Sequence, residues 1–465
     1  MLAAPIIKDL PEDFIVEIKA LFGERFSVSP PVLDHHGRDE SSYPLLAPQA
    51  VVFANTTEEV SALIKICSRF GIPVIPFGAG TSLEGHVLPI QGGITLDLNN
   101  MNHILAIHPE DMIVTVEPAV RRKQLNAALK DTGYFFPVDP GADASIGGMC
   151  ATRASGTNAV HYGTMRENVL ALTVVTASGE IIHTGTHAKK SSAGYDLTRL
   201  FVGSEGTLGI ITEITLKIYP QPEEIAAAIC NFSSMTDAVN TVIEVIQMGI
   251  PVARVELVDE LAINAINQYS KLSLKPLPTL FFEFVGSPHS VKEQAQLAQE
   301  IAKTHAGHDF EWATHPEDRA RLWHARHNAY FACLQLQAGC RIINTDVCVP
   351  ISKLAQCIDE TRKDLNQSWI KAPILGHVGD GNYHVLLVID PNKPDDFQEA
   401  ERLNDAIVQR ALRLGGTCTG EHGVGMHKMD FLEDEHGSAA IEVMRTIKRA
   451  LDPKNILNPG KMIRM

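Results

Sequence analysis

The residues best suited to chemistry gather late in this chain. GHVGDGNYHVLLVID sets His377 and His384 seven positions apart across a Gly-rich turn that runs into an apolar segment, and GGTCTGEHGVG then supplies Glu421 and His422. Imidazoles carried on a loop and a strand edge can converge on one ion, whereas a helical pair would stand four apart. Two neutral imidazoles and one carboxylate make a three-ligand set that leaves a coordination position for a substrate oxygen, as catalytic Zn, Mn or Fe requires. Taken singly, each of the 19 histidines, His35 and His36 included, reads more simply as a satisfied polar side chain. Arg326, in RLWHARHNAY, offers a planar guanidinium that fits a carboxylate in two parallel hydrogen bonds, and Asn382, inside GDGN, can add another to a bound substrate.

Three earlier stretches are dense in Gly, Ser, Thr and Ala: PFGAGTSLEG (76–85), PVDPGADASIGGMCATRASGTNAVHYG (137–163) and FVGSEGTLGIIT (201–212). The first is not a dinucleotide fingerprint, because Leu83 stands where GxGxxG needs glycine, and not a P-loop, because His86 stands where the lysine would be. One such loop is ordinarily a turn. Three within one β-rich region imply more, since small residues let backbone amides approach a ligand closely and hydroxyls add donors. Together they point to a large phosphate-bearing cofactor held without a dominant lysine.

These residues need a scaffold, and its elements are legible. NTTEEVSALIKICSRFG reads as a helix, with Thr56 and Glu59 at capping-box spacing, Val60, Leu63, Ile64 and Cys67 on one face, and Gly71 as its stop. The strand PVIPF follows, then GITLDL, HILAI and MIVTVEP at the spacing of an antiparallel meander, then a helix centred on Leu125, Ala128 and Leu129. LALTVVTASGEIIHT and GIITEITLKIYP complete a first domain, 1–220, whose close-set β runs make the class α+β. From IAAAICNF onward strands alternate with helices up to DFEWA, which predicts an antiparallel, ferredoxin-like sheet as a cap or substrate domain over 221–415. The last segment, 416–465, is expected to return to the first domain. There are no repeats or low-complexity linkers.

Composition narrows the function classes. A chain of 465 residues, 45% hydrophobic and 20% charged, has room for more than one core. No stretch reaches the roughly 18 apolar residues of a membrane-spanning helix. The start, MLAAPIIKDLPEDF, lacks a basic region followed by an apolar core, so secretion is not expected. A net charge of −15 argues against nucleic acid as a partner, though a small anion needs only one local arginine. The eight cysteines form no CxxC pair and read as buried free thiols in a reducing compartment.

Beyond these readings, HHGRDES, PVDPGADAS, SGTNAV, AGYDLT, VGSEGTLG, TDVCVPIS, GHVGDGNYH, TCTGEHG and the closing NPGK resemble a known family. It is the group of FAD-binding oxidoreductases typified by p-cresol methylhydroxylase and vanillyl-alcohol oxidase (the PCMH/VAO type). Within it the chain is most similar to the branch of mitochondrial-type D-lactate dehydrogenases, and less so to the glycolate oxidase D subunit and D-2-hydroxyglutarate dehydrogenase. The resemblance implies a two-part FAD domain with a cap and a carboxyl-terminal helical segment. It implies Pro76, Gly78, Ala79, Gly80, Thr81 and Ser82 around the pyrophosphate. It assigns Pro140, Ala142, Ser145, Gly147, Gly148, Ala151, Thr152, Ser155, Gly156 and Tyr162 to the ribityl chain and ring. Glu205, Gly206, Ile210 and Ile211 then fall on the adenine side, with Asn458 near the flavin. Some relatives attach FAD through a histidine in the first loop; Thr81 stands there, so noncovalent FAD is expected.

The resemblance further implies His377, His384 and Glu421 as ligands of a divalent metal (Zn or Mn, or Fe) and His422 as the acid-base residue, with Arg326 and Asn382 on the substrate. The implied reaction is oxidation of a small D-2-hydroxy acid, foremost D-lactate to pyruvate, with glycolate or D-2-hydroxyglutarate as alternatives. Asn344, where D-2-hydroxyglutarate enzymes carry a lysine, favours a short monocarboxylate. The electron acceptor is expected to be a quinone, a cytochrome or another flavoprotein. The place expected is the cytoplasm, or the mitochondrion in a eukaryote, with peripheral membrane association and a homodimer both compatible. From the residues alone two other classes stay open: a metal-dependent hydrolase in which the same three ligands activate water, and a non-catalytic nucleotide-binding protein.

Overall fold

The computed structural model describes residues 9–465, so most of the leading stretch read for a targeting signal lies outside the described residues. The described chain divides into two compact units. Unit 1 comprises 9–155, 163–220 and 421–465, and unit 2 comprises Gly156–Tyr162 and Gln221–Gly420.

Unit 1 holds two larger sheets and a two-stranded one, Tyr134–Phe135 with Tyr219–Pro220. In the first, Ala50–Phe53, Ile94–Asp97 and Val74–Phe77 run parallel in that order, with Phe26–Ser27 antiparallel on one edge. The helix Thr57–Phe70 connects two of its strands and buries Val60, Leu63, Ile64 and Cys67 in a core shared with Phe14, Val52 and Leu96. Only half of its capping box forms. Thr56 Oγ1 accepts from Glu59 N at 3.2 Å, but the Glu59 carboxylate turns to Arg25 and to Asn55 N instead of the Thr56 amide. Gly71 ends the helix at φ 68°, where a left-handed residue is needed.

The second sheet is antiparallel, in the order Ile104–His108, Ile113–Val116, Ile210–Lys217, Val169–Val175, Ile181–His183. One face packs Val114, Val116, Leu172, Val174, Ile214 and Leu216 onto Leu125, Leu129 and Ile146. The expected meander of three consecutive runs is therefore corrected. HILAI and MIVTVEP do pair antiparallel, but GITLDL joins the parallel sheet between two strands earlier in the chain. All four residues of Ile94–Asp97 are buried, as a central parallel strand requires, and strict alternation was never available to mark it.

Unit 2 is built on one antiparallel sheet in the order His308–Ala313, Glu224–Asn231, Thr279–Gly286, Val252–Val258, Ile374–Gly376, Asn382–Ile389, Arg341–Asn344, with Val347–Cys348 also paired to Asn382–Ile389. Its first four strands, numbered along the chain, lie 4-1-3-2, the ferredoxin-like order, with the helices Met235–Gln247, Glu260–Ser270 and Pro288–Thr304 between them. Each helix begins on a side-chain cap: Ser234, Asp259 and Ser287 accept from the amide three residues on. Among the described residues all eight cysteines are unbridged, six buried and two, Cys340 and Cys348, partly exposed. No helix among them is long and apolar enough to cross a membrane.

Candidate active site

In unit 1 the Gly-rich loops are pressed together at positions where only glycine fits. A Cβ on Gly78 would meet Ser145 Oγ at 2.5 Å, one on Gly147 would meet Pro118 Cβ at 2.6 Å, and one on Gly206 would meet Pro76 Cγ at 2.5 Å. Thus residues from all three expected cofactor loops, 76–82, 140–155 and 205–206, reach one another or a common wall. Ser145 caps the short helix Ile146–Thr152, accepting from Gly148 N at 3.3 Å. Asn99 Nδ2 donates to Gly78 O at 2.8 Å and Ser82 Oγ to Asp39 Oδ2 at 3.0 Å, so residues outside the loop brace its two ends. Asn458 donates through Nδ2 to His86 O and Glu205 O, at 3.0 and 2.8 Å, while its Oδ1 and the Ser204 hydroxyl are buried with no hydrogen-bonding partner among the described residues. A cradle of small residues with buried, unsatisfied polar atoms fits a bound FAD. Of the residues expected at the flavin, Gly156 and Tyr162 fall in unit 2 and the rest in unit 1. Ile210 and Ile211 are strand residues, both buried.

Glu205 does something the sequence did not suggest. Its carboxylate accepts from Val424 N at 2.7 Å and Gly425 N at 2.9 Å, which fixes the turn just after His422. His86 Nε2 lies 3.3 Å from the same carboxylate; burial opposes its protonation, but Glu205, Glu84 and Asp39 raise its pKa above the usual histidine value. His422 itself is close to Glu84, with Nδ1 3.6 Å from Oε1. Glu84 is buried, and although burial alone would raise its pKa, Lys428 at 3.3 Å and the imidazoles of His422 and His427 hold it well below the carboxylate range. Arg153 adopts φ 56° and donates to Val202 O.

In unit 2 the strands Ile374–Gly376 and Asn382–Ile389, joined by the tight turn at Val378–Asp380, bring His377 and His384 together. Their rings stand nearly perpendicular, 5.5 Å between centroids. His377 Nδ1 is 2.7 Å from Glu256 Oε1, and His384 Nδ1 is 2.9 Å from Thr345 O. A carboxylate and a carbonyl can only accept, so each imidazole carries a proton on Nδ1, which leaves Nε2 as the nitrogen that can ligate a metal when the ring is neutral. This donor set fits a divalent ion. Arg326, on the helix Pro316–His327, donates through Nη2 to Glu256 Oε2 at 2.6 Å, and its buried Nε has no acceptor among the described residues. Burial pushes the Glu256 carboxyl up, yet His377 and Arg326 together hold it below the usual range. Asn382 spends both amide hydrogens, on Asp346 Oδ1 and Val347 O, each at 2.8 Å. Asp346 also accepts from Thr419 Oγ1 at 2.9 Å, and a Cβ on Gly420 would come within 2.2 Å of Asn382 Nδ2. Asp346 and Asn382 therefore shape the chain that leads into Glu421, which is partly exposed.

Glu256 and Asp346, which hydrogen-bond the expected site residues, were not singled out from the sequence. The one signal for Glu256 was a lone carboxylate in the apolar run VARVELV, and Asp346 lay unassigned inside TDVCVPIS.

Paired sheets whose Gly-rich loops close on one another, followed by an antiparallel layer bearing convergent imidazoles, define a flavoprotein of the PCMH/VAO type. Solved structures share that fold. 4-Ethylphenol oxidase from Gulosibacter chungangensis gives a TM-score of 0.81 at 18% identity, covering 99% of this chain and 98% of that one. p-Cresol methylhydroxylase gives 0.77 at 18%, covering 97% of each. Residues 48–185 match the FAD binding domain family, and 221–462 match the C-terminal domain of FAD linked oxidases. The chain belongs to the FAD-linked oxidase family and is an oxidoreductase, which sets aside the hydrolase and the non-catalytic readings. Its relatives include the probable mitochondrial D-lactate dehydrogenase of Danio rerio, 52% identical over 95% of this chain and 90% of that protein. The mitochondrial D-lactate dehydrogenase [cytochrome] of Arabidopsis thaliana is 45% identical over 98% and 81%. The glycolate oxidase subunit GlcD of Bacillus subtilis is 36% identical over 89% of each.

Proposed function

We propose that this chain oxidises D-lactate to pyruvate, with glycolate and D-2-hydroxyglutarate as alternatives of the same chemistry. The observation that carries this reading is the row of buried Arg326 and Glu256 with His377, beside His384, in a chain with half its residues identical to a protein named as a probable D-lactate dehydrogenase. That row would set a carboxylate-binding cation next to a metal-binding pair, the two grips a 2-hydroxy acid needs.

When bound, FAD supplies a hydride acceptor, and a divalent ion (Zn, Mn or Fe) supplies Lewis-acid polarisation of the substrate hydroxyl. His377 and His384 would hold the ion through Nε2, with Glu421 as third ligand. Arg326 would bind the substrate carboxylate on its Nε edge, since Glu256 occupies Nη2. Asn382, with both amide hydrogens committed to Asp346 and Val347, would serve the substrate by holding the wall beside it. His422 would take the hydroxyl proton while the carbon-bound hydrogen leaves as hydride, which balances lactate to pyruvate. In unit 1 the residues 76–82, 140–155, Glu205, Gly206, Ile210, Ile211 and Asn458 would hold FAD noncovalently, as would Gly156 and Tyr162. A cytochrome is the electron acceptor we favour over a quinone or another flavoprotein, because two of the three relatives' functions are D-lactate oxidation and one of those names carries that acceptor. Location follows the host: mitochondrial in a eukaryote, cytoplasmic in a bacterium.

Anaerobic titration of the FAD-loaded protein tests the reading. D-Lactate should bleach the flavin at lower concentration than glycolate or D-2-hydroxyglutarate, and His422→Ala should keep FAD but lose bleaching by a factor of roughly 100 or more. Chelation should yield an FAD-loaded, inactive protein that added metal restores. Reduction by L-lactate and not by D-lactate would overturn the substrate assignment, and full activity without metal would overturn the metal's role.

A further inference from the structure

Glu256 sits inside the sheet of unit 2, on the strand Val252–Val258, fully buried and opposite Phe281. A lone carboxylate there is costly unless its oxygens are used. Both are. Oε2 accepts from Arg326 Nη2 at 2.6 Å, and Oε1 faces His377 Nδ1 at 2.7 Å. Its charge is thus shared between a guanidinium on the helix Pro316–His327 and an imidazole at the end of the strand Ile374–Gly376. His384, by contrast, is oriented by a backbone carbonyl, Thr345 O, which no side-chain substitution removes. The two imidazoles therefore differ in what Nδ1 faces at hydrogen-bond distance: a main-chain oxygen for His384, with the Asp346 carboxylate further off at 3.8 Å, and a replaceable side-chain carboxylate for His377.

We propose that Glu256 is a positioning residue that fixes the Nδ1–H tautomer of His377 and the pose of Arg326 together, so that metal affinity and substrate-carboxylate affinity depend on the same buried side chain. This rests on the reading of His377 and Arg326 given above. An amide at this position reverses the bookkeeping of protons. A glutamine oxygen can still accept from Arg326, but its NH2 then faces His377 Nδ1 and drives that ring's proton to Nε2, where it blocks the lone pair a metal needs. Rotated the other way, the amide opposes the guanidinium with a donor. Neither pose serves both partners, whereas a carboxylate serves both.

The experiment measures Zn2+ binding by equilibrium dialysis on FAD-loaded wild type, Glu256→Gln and Glu256→Asp, alongside steady-state kinetics with D-lactate. Glu256→Gln should lose ten- to a hundredfold in Zn2+ affinity, the range typical for removing an outer partner of a metal-bound histidine. It should also raise KM for D-lactate, with FAD content and the flavin spectrum unchanged. Glu256→Asp, which keeps the charge, should recover part of both losses. Independently of any variant, nitrogen NMR of labelled wild-type imidazoles should show His377 protonated on Nδ1. Wild-type affinity in Glu256→Gln, or an Nε2–H tautomer of His377 in the wild type, overturns the assignment of Glu256 alone. Failure of the wild type itself to bind Zn2+ or Mn2+ overturns the metal reading, and this inference with it.

Discussion

Lys461, in the closing NPGK, is buried in unit 1 with its Nζ donating to Leu88 O at 2.6 Å. Burial pushes its pKa down to about 7, against the pull of Glu205 and Asp39. In the unfolded chain the same amine titrates near 10.5. Between about 7 and 10.5 the unfolded state therefore holds a proton that the native state has released, and stability rises with pH across that window; below it the penalty for a buried ammonium is complete. Lys461→Met removes this dependence, so thermal melts should show the variant gaining stability relative to wild type at pH 6 and losing that gain by pH 10. A difference independent of pH would refute the shift. Glu84 poses the opposite case, a buried carboxylate that offsets the buried Lys428 ammonium at 3.3 Å. Glu84→Gln strips that lysine of this counter-charge and should cost roughly 3–5 kcal/mol in denaturant unfolding. A loss under about 1 kcal/mol would mean that other groups carry the lysine. At this scale the sequence announced residue types well and partners badly. His377, His384, Arg326 and Asn382 stood out as chemical groups, but that Glu256 would bridge two of them depends on strands and a helix up to 121 positions apart meeting in one layer.

Helices were the most legible elements, because their signal is local. The cap at Thr56, the apolar face of Thr57–Phe70 and the stop at Gly71 are all within one window, and the same holds for Met235–Gln247 behind Ser234. Strand pairing was legible only where neighbours in sequence pair. Of the four leading strands in unit 2 only Val252–Val258 and Thr279–Gly286 pair with a sequence neighbour, so the ferredoxin-like layer was read from alternating strands and helices and not from pairing, and GITLDL was read into a meander because nothing within it records that Ala50–Phe53 and Val74–Phe77 flank it. The Gly-rich loops were visible as composition, yet which glycines are obligatory depends on the walls they meet. Gly147 is one: an added methyl would stand 2.6 Å from Pro118 Cβ and 3.0 Å from Pro118 O, a rigid neighbour that cannot turn aside. Gly147→Ala should thus displace the start of the helix Ile146–Thr152 and weaken FAD binding, read as at least a tenfold faster loss of flavin fluorescence quenching on dilution. Gly141, whose Cβ would meet nothing within 4 Å, provides the contrast, and Gly141→Ala should retain FAD as wild type does. Equal retention by both variants would show that close loop packing is not what the cofactor needs.

Across the molecule the chain passes between its two units four times, after Ser155, Tyr162, Pro220 and Gly420. The short excursion Gly156–Tyr162 is held within unit 2, where Asn158 accepts from Arg254 Nε at 2.7 Å. Each unit has its own core: Val114, Leu172 and Ile214 with their neighbours in one, Ile263, Phe281 and Leu386 with theirs in the other. A ligand that binds only the native state adds stability by mass action, about 2.7 kcal/mol at a hundred times its dissociation constant, and suppresses local openings chiefly where its contacts lie. The proposed metal ligands His377, directly after the strand Ile374–Gly376, and His384, within Asn382–Ile389, belong to unit 2, while most of the expected FAD residues belong to unit 1. Chelation should therefore speed amide exchange in Ile374–Gly376 and Asn382–Ile389 more than in Val169–Val175 and Ile210–Lys217. Stripping FAD should speed it in the Gly-rich loops of unit 1 and in the helix Ile146–Thr152 more than in Thr279–Gly286 at the centre of the other sheet. Exchange that rises uniformly over both units on either treatment would mean that the chain opens as one cooperative body, and that its four crossings couple the cores more tightly than their separate packing implies.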